Sequence, residues 1–212
     1  IQHDLVCIGR VAVDLYGEAL GTGLAEARRF QRYLGGTSGN LAVSAARLGL
    51  RVAFGGAVGD DPGGAFLRAQ LMSERVDVTA LDSRRDRRTA LAFLGMDNPE
   101  AVSLDFYRDR AADAEIALTP ALAGVVGSAR AVAFCGSHFA DPTIAARLRP
   151  VLDLAHSRGA ICVLDLDLRR QIWADLPGGL EASAARVAAV ARDCHIVVGN
   201  AEEWSLVAGL PD

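Results

Sequence analysis

The chain has 212 residues, 51% of them hydrophobic, and a formal net charge of −4. All 22 basic residues are arginine, and they are scattered along the chain. A nucleic-acid-binding surface needs a basic surplus gathered on one element, so no nucleic-acid partner is expected. Because lysine is absent, a phosphate-binding loop ending in Gly-Lys and a Schiff base are both excluded.

The sequence also lacks the pattern of a membrane protein. Its longest uncharged runs, 33–46 and 116–129, hold 14 residues each, whereas a membrane helix needs ~20 apolar residues. Asp4, Arg10 and Asp14 interrupt the apolar stretch at the N-terminus, which therefore does not resemble a signal peptide. We expect no membrane partner and a cytoplasmic location.

Short apolar runs alternate along the chain with longer segments of helical periodicity. Such alternation predicts an α/β fold in which helices cover both faces of a mainly parallel sheet. Strands that are buried on both sides are almost continuously apolar. The predicted strands are 5–9, 52–58, 131–135, 160–165 and 196–199.

Three helix starts carry clear capping signals. Asp61-Pro62, Thr119-Pro120 and Asp141-Pro142 each place a side-chain oxygen before a proline. The oxygen satisfies a free backbone N–H, and proline suits the first helical position because it has no N–H. The third helix is expected to end at Gly159.

Two segments, about 15–34 and 88–108, break the α/β alternation. The second contains two runs of period-2 character, TALAFLGM and AVSLDFYR, around a turn at 97–100. We interpret the two segments as a small β lid beside the main sheet, within a single domain that covers 1–212.

A glycine-rich turn precedes the first amphipathic helix. Gly35 and Gly36 open the stretch GGTSGN, which ends at Asn40 and leads into the helical run LAVSAARLGL. Backbone amides and the Asn side chain at a helix N-terminus are suited to a polar ligand. The alternative is an ordinary loop in which Thr37 or Ser38 caps the helix.

Charged residues follow two predicted strands, where ligands of open α/β sheets collect. The carboxylate of Asp14 could accept hydrogen bonds from two sugar hydroxyls, or Asp14 could be a turn residue. Asp165, Asp167 and Arg169 alternate with apolar residues and would share one face, either as an ion-pair row or as a site for an anionic substrate. Arg108, at the end of a lid strand, is a second candidate for binding a carboxylate.

The segment Asn200-Ala201-Glu202-Glu203 opens the last helix. An Asn followed three residues later by Glu is a capping box, which stabilises a helix start without any further function. Taken alone, the segment favours that structural interpretation.

In this order, the motifs resemble those of the ribokinase-like (PfkB) carbohydrate kinases over nearly the whole chain. The matching positions are the aspartate after the first strand, a glycine pair with its asparagine, a Gly-x-Asp-x-x-Gly turn and an Asn-x-x-Glu motif: Asp14, Gly35, Gly36, Asn40, Gly59 to Gly64, Asn200 and Glu203. Ser38 departs from the pattern, because most members have Gly or Ala there. The resemblance implies a ribokinase-like fold.

The resemblance also implies how a sugar would be bound. Asp14, Gly35, Gly36 and Asn40 match the positions at which the family binds sugar hydroxyls. Related sugar-acid kinases hold a carboxylate with arginines that match Arg108 and Arg169, and a bidentate Arg–carboxylate contact suits such a substrate.

The cofactors implied by the resemblance are ATP and Mg²⁺. Asn200 and Glu203 match the motif that positions magnesium and phosphate, with Glu203 as the residue associated with the metal. Members of the family often pair through their lids, so a homodimer is expected as well.

One subgroup of the family is closest to the segments GRVAVDLYGE, YLGGTSGN, FYRDRAAD and DLDLR. It implies ATP-dependent phosphorylation of a primary hydroxyl of a keto-sugar acid, 5-dehydro-2-deoxygluconate in inositol catabolism. Kinases for 2-keto-3-deoxygluconate, fructose or another sugar are alternatives. A nucleoside kinase is disfavoured because a nucleoside offers no carboxylate to the two arginines.

The family's catalytic aspartate lies in a Gly-Ala-Gly-Asp motif, and that motif does not occur in these 212 residues. We therefore expect an incomplete kinase domain that carries the sugar-binding part, lacks a catalytic residue and is inactive by itself. The alternative from another functional class is a non-catalytic module that binds a sugar acid.

Overall fold

The chain forms two separate β-sheets, seen in a computed structural model that describes residues 2–98 and 101–209. The strands, in chain order, are β1 (His3–Ile8), β2 (Ala12–Gly17), β3 (Phe30–Gly35), β4 (Val52–Gly59), β5 (Leu81–Arg84), β6 (Leu91–Asn98), β7 (Ala101–Tyr107), β8 (Ala129–Cys135), β9 (Ile161–Asp165) and β10 (Ile196–Val198). The helices are α1 (Thr37–Arg47), α2 (Pro62–Ser73), α3 (Pro120–Gly127), α4 (Gly136–Ala140), α5 (Pro142–Ser157), α6 (Arg170–Asp175), α7 (Gly179–Ala191) and α8 (Ala201–Ala208).

The larger sheet is parallel throughout, with strand order β10-β9-β8-β1-β4-β5. It contains all five strands predicted from the sequence, and the α/β class is confirmed. Strand β5, with the sequence LDSR, was not predicted, because only Leu81 of its four residues is apolar.

Helices cover both faces of this sheet. Successive residues of β1 point to opposite sides, so that Val6 and Ile8 pack with α3, α5 and α7 while Cys7 packs with α1 and α2. Burial on both sides explains why the strands are continuously apolar.

The three predicted helix starts are confirmed by their caps. The side chain of Asp61 accepts a hydrogen bond from Gly64 N, that of Thr119 accepts from Leu122 N, and that of Asp141 accepts from Thr143 and Ile144 N. α5 ends before Gly159, whose φ of +69° is the left-handed conformation expected there.

The smaller sheet, here called the lid sheet, has the order β3-β2-β6-β7. Its β2 pairs antiparallel to β3 and parallel to β6, and β6 pairs antiparallel to β7. The lid sheet begins earlier than expected, at Ala12, so Asp14 belongs to it. Residues 18–29 lie outside its strands, apart from a bridge between Thr22 and Met96.

The predicted turn at 97–100 is seen only in part. Asp97 and Asn98 are the last residues of β6, whereas Pro99 and Glu100 lie outside the described residues. Among the helices of residues 2–98 and 101–209, none has the length and apolar character needed to cross a membrane.

Candidate functional site

A cavity of about 170 Å³ lies where the lid sheet meets the carboxyl edge of the parallel sheet. Its walls come from β2, β6, β7, the start of α1 and the loops that follow β1 and β9. Five of the residues predicted to bind substrate line it: Asp14, Gly36, Asn40, Arg108 and Arg169. Tertiary folding therefore brings together candidates separated by up to 155 residues in the sequence.

A wider cleft of about 660 Å³ adjoins this cavity and shares Asp14 and Asn40 with it. Tyr16, Tyr33 and Met96 form part of its wall. Its volume is typical of small-molecule sites, which measure roughly 300–1,000 Å³. Asp14 and Asn40 thus stand where a ligand could reach both spaces.

Asp14 lies within β2 and not in a turn, so the turn alternative is wrong. Its neighbours across the lid sheet are Tyr33 on β3 and Ala92 on β6. Partial burial raises the pKa of its carboxyl group to about 6. Gly35 is required beside it, because a Cβ atom at position 35 would overlap the Asp14 carboxyl group.

The start of α1 is capped by Gly36, with a φ of +88° and without any side-chain cap. The alternative in which Thr37 or Ser38 caps the helix is therefore wrong. Ser38 Oγ instead donates to Ile8 O at 3.1 Å and ties α1 to the end of β1. A Cβ atom at position 36 would lie 2.6 Å from Arg10 O, so glycine permits this close approach.

Arg108 lies at the end of β7 and is held by Asp113. Its Nη2 donates to Asp113 Oδ2 at 2.6 Å, and Arg10 Nε lies 3.0 Å from the same oxygen. Asp113 is only 2% exposed. The cavity is therefore lined by a guanidinium pair, Arg10 and Arg108, that shares one buried carboxylate.

Arg169 pairs with Asp167 across a 2.8 Å contact. The strand ends at Asp165, and Asp167 has a φ of +43°, so the predicted alternation along one strand face is wrong. A turn brings the pair together instead. Cys135 Sγ donates to Asp167 Oδ2 at 3.1 Å, and Ser137 Oγ donates to its carbonyl, which fixes the aspartate within the fold.

Asn200 and Glu203 form the capping box of α8, as one interpretation of the sequence expected. Asn200 Oδ1 accepts from Glu203 N at 2.9 Å, and Glu203 Oε2 accepts from Asn200 N at 2.8 Å. Glu203 Oε1 also accepts from Leu168 N at 2.9 Å. The glutamate thus links α8 to the loop that carries Asp167 and Arg169.

A separate trio of possible metal ligands lies elsewhere. His156, Cys162 and His195 place one ligand atom each within 4.8 Å of the others. His195 Nδ1, however, accepts a hydrogen bond from Cys162 N at 3.0 Å. The lone pair of this nitrogen is therefore occupied by a backbone N–H of β9. This contact accounts for the position of His195.

Two charged residues at the cavity were not predicted from the sequence: Arg10, which lines it, and Asp113, which contacts Arg10 and Arg108. Both lie in segments with recognisable signals: Arg10 follows β1 directly, and Asp113 follows Arg108 within FYRDRAAD. Nothing in the local pattern indicates that these two positions meet, because their contact depends on the packing of the lid sheet against β1.

The parallel sheet covered by helices, with a lid sheet over a cavity at its carboxyl edge, is the arrangement that the sequence resemblance implied. The family described as pfkB family carbohydrate kinase matches residues 2–212, and the chain belongs to that family. The family prediction and the ribokinase-like fold are thereby confirmed.

Among curated relatives, the chain is similar to two proteins named 5-dehydro-2-deoxygluconokinase. The one from Shouchella clausii is 32% identical over 210 residues, which are 98% of this chain and 63% of the relative. The one from Clostridium perfringens is 31% identical over 211 residues, covering 99% and 61%. The chain therefore spans about three fifths of the length of the curated relatives it matches.

Solved structures give the same fold. A PfkB protein from a Polaromonas species superposes with a TM-score of 0.88 at 23% identity, covering 98% of this chain and 69% of that one. The fructokinase with bound ATP from Xylella fastidiosa has a TM-score of 0.83 at 27% identity, covering 97% and 60%.

Asp14→Asn is expected to stabilise the fold more at pH 7.5 than at pH 4.5, by ~1–2 kcal/mol after allowing for partial solvation. The folded-state pKa of Asp14, about 6, exceeds the unfolded value of about 3.9. The contribution of Asp14 to the free energy of unfolding is therefore lost as the pH rises from the unfolded pKa through the folded pKa. Urea denaturation at both pH values measures the difference. The control is Asp175→Asn, because Asp175 is exposed at the end of α6. If Asp14→Asn changed the free energy of unfolding equally at both pH values, the prediction would be wrong.

Proposed function

We propose that the complete protein is an ATP-dependent kinase that phosphorylates a primary hydroxyl of a keto-sugar acid, with 5-dehydro-2-deoxygluconate as its substrate. One observation carries this proposal: a single cavity combines Asp14 and Asn40, which suit hydroxyls, with Arg108 and Arg169, which suit a carboxylate. The names of the similar curated relatives support the same substrate.

The hydroxyl end of the cavity follows from β2 and α1. With a pKa near 6, Asp14 is mostly ionised at neutral pH and accepts hydrogen bonds from two hydroxyls. Asn40 offers both an amide donor and a carbonyl acceptor. Gly35 leaves room for Asp14, and Gly36 exposes backbone at the cavity wall.

The carboxylate end would be formed by Arg108 and Arg169. A guanidinium group presents two parallel donors to a carboxylate, and such contacts gain strength where water is excluded. A neutral ketose lacks the group that these arginines would recognise. The arrangement therefore favours an acid sugar.

Mg²⁺ and ATP would be placed with the help of Asn200 and Glu203. Both Glu203 oxygens accept one backbone hydrogen bond, and each retains a second lone pair for a water molecule bound to magnesium. The donor set therefore fits a water-mediated contact. When bound, Mg²⁺ would neutralise phosphate charge during transfer.

A reaction that consumes ATP is consistent with a cytoplasmic location.

These 212 residues do not include the Gly-Ala-Gly-Asp motif, so we assign no catalytic base among them. The part described here would bind and orient the sugar. Orientation is a large share of phosphoryl-transfer catalysis, but the reaction also needs a group that accepts the hydroxyl proton. That group would belong to another part of the complete protein.

Fructose is the second candidate substrate, because the Xylella fastidiosa structure is named a fructokinase. The test is a coupled assay of the complete protein with Mg-ATP and three sugars: 5-dehydro-2-deoxygluconate, 2-keto-3-deoxygluconate and fructose. We expect the highest kcat/KM with the first. A preference for fructose would overturn the proposal, and sugar-acid binding without turnover would support a non-catalytic module.

Asp14→Asn should lower kcat/KM for 5-dehydro-2-deoxygluconate about 10- to 100-fold, because charged hydrogen bonds to hydroxyls are lost. Asp175→Asn serves as the matched control outside the cavity. Unchanged kcat/KM in Asp14→Asn would show that the sugar binds elsewhere.

Arg169→Ala should weaken an acid sugar by ~2–5 kcal/mol and change a neutral ketose little, because only the acid has a carboxylate to lose. Calorimetric titration of the complete protein with 5-dehydro-2-deoxygluconate and with fructose measures both. Arg170→Ala is the matched control, since the neighbouring Arg170 pairs with Glu202 outside the cavity. Equal losses for both sugars would make Arg169 a structural partner of Asp167.

We also propose that the protein forms a homodimer through the lid sheet. Tyr33, Leu104, Phe106 and Tyr107 are all exposed on its strands, and apolar surface of this kind is typical of protein contacts. Light scattering of the complete protein should give twice the chain mass, and Tyr107→Arg should reduce it. Leu48→Arg, exposed after α1, is the control. A monomeric wild type would refute the dimer.

A further inference from the structure

We propose that Arg10 is a further carboxylate-binding residue of this cavity, and that Asp113 is the positioning residue that holds Arg10 and Arg108 together. The inference rests on the proposed function, because it names the groups that would select an acid sugar over a neutral one. The two arginines are called the Arg10–Arg108 pair below.

The geometry of the pair depends on one oxygen atom. Asp113 Oδ2 accepts a hydrogen bond from Arg108 Nη2 at 2.6 Å and lies 3.0 Å from Arg10 Nε. Burial opposes ionisation of Asp113, but the two guanidinium groups outweigh it and hold its pKa below the ordinary value. Asp113 is therefore charged, and it fixes both arginines at the same place.

The pair joins the two sheets of the fold. Arg10 follows β1 of the parallel sheet, whereas Arg108 follows β7 of the lid sheet. Asp113 lies in a short 3₁₀ turn at 112–114, and Ala112 N donates to Arg88 O, which holds this turn in place. Without Asp113, two cations from different sheets would face each other with nothing between them.

The charges at this point are not balanced by their direct contacts. The guanidinium groups of Arg10 and Arg108 share the single carboxylate of Asp113, so the three side chains together carry a net charge of +1. Buried His138 does not alter the count, because burial lowers its pKa to about 3 and keeps it neutral. A buried charge without a partner is costly, so this end of the cavity is suited to receive an anion.

Unused donors point to the same conclusion. Nε of Arg108 is buried and makes no hydrogen bond to any residue that the structure describes, and buried Nε of Arg10 contacts Asp113 as an ion pair without hydrogen-bond geometry. Both arginines also line the cavity that contains Asp14 and Asn40. A carboxylate on a sugar bound to Asp14 would meet the Arg10–Arg108 pair within the same small space.

Arg169 differs from the pair in its electrostatic state. It has its own carboxylate partner, Asp167, and its side chain is 46% exposed, compared with 11% for Arg10 and 18% for Arg108. Contacts between charges strengthen as water is excluded. We therefore expect the Arg10–Arg108 pair to contribute more than Arg169 to the preference for an acid.

The decisive variant is Arg10→Met in the complete protein. Methionine keeps apolar bulk, and it leaves a one-to-one pair of Asp113 and Arg108, so the fold should be retained. The KM for 5-dehydro-2-deoxygluconate should rise at least about 30-fold, as for loss of one charge of a desolvated contact. The KM for fructose should change less than about twofold, and kcat at saturating acid sugar should be largely kept.

Asp113→Asn tests the positioning role. It should raise the KM for the acid sugar about tenfold, with little change in kcat, because both arginines remain but lose their common anchor. Asp4→Asn is the matched control, since Asp4 pairs with Arg51 away from the cavity. Circular dichroism melting reports folding; if Asp113→Asn does not fold, Arg10→Met decides the question.

The outcomes separate this inference from the proposed function. A wild type that phosphorylates fructose and not the acid overturns the proposed function and the inference with it. A wild type that prefers the acid, while Arg10→Met changes the KM of both sugars equally or of neither, overturns the inference alone. A selective rise in KM for the acid supports both.

Discussion

A short crossing joins the two sheets and sets the position of the cavity between them. The chain leaves β1 at Ile8 and enters β2 at Ala12, so three residues separate a strand of the parallel sheet from a strand of the lid sheet. α1 is pressed onto this crossing: Ser38 Oγ donates to Ile8 O, Gly39 N donates to Arg10 O, and Gly36 permits the close contact. A polar cavity forms where this crossing holds the lid sheet against the carboxyl edge of the parallel sheet.

The lining of the cavity combines one aspartate with three arginines. Asp14, raised in pKa by burial, stands at the centre of the lid sheet, where hydroxyl donors would stabilise its charge. The loops after β1 and β9 and the end of β7 supply arginines whose carboxylate partners are buried in the protein. A ligand that carries both hydroxyls and an acid group matches this combination of side chains.

Structural and functional interpretations of one motif need not exclude each other. Asn200 and Glu203 form a capping box, and Glu203 also accepts from Leu168 N beside the loop of Asp167 and Arg169. A residue that holds a helix start can thereby hold a binding loop. Gly35 likewise has both a structural and a functional interpretation. It ends strand β3, and its lack of a side chain leaves room for the Asp14 carboxyl group.

The α/β class, five of the six strands of the parallel sheet, three capped helix starts and the family could be predicted from the amino-acid sequence alone. These features depend on local chemistry, because apolar runs, Asp-Pro and Thr-Pro steps and a motif order can be recognised without knowing which residues meet. Through that resemblance, the sequence also indicated five of the residues that line the cavity: Asp14, Gly36, Asn40, Arg108 and Arg169. Strand β5 was not predicted because only one of its four residues, Leu81, is apolar.

The pairing of the charged residues could not be predicted from the sequence and follows from the tertiary fold. Asp14 proved to be a strand residue of the lid sheet, Asp167 left the strand alternation through a left-handed turn, and Arg10 was brought to Asp113 from 103 residues away. An ion pair between distant segments leaves no local pattern, since either partner alone is indistinguishable from a solvated side chain. Whether a charged residue binds a ligand or a neighbour therefore depends on how the lid sheet packs against β1.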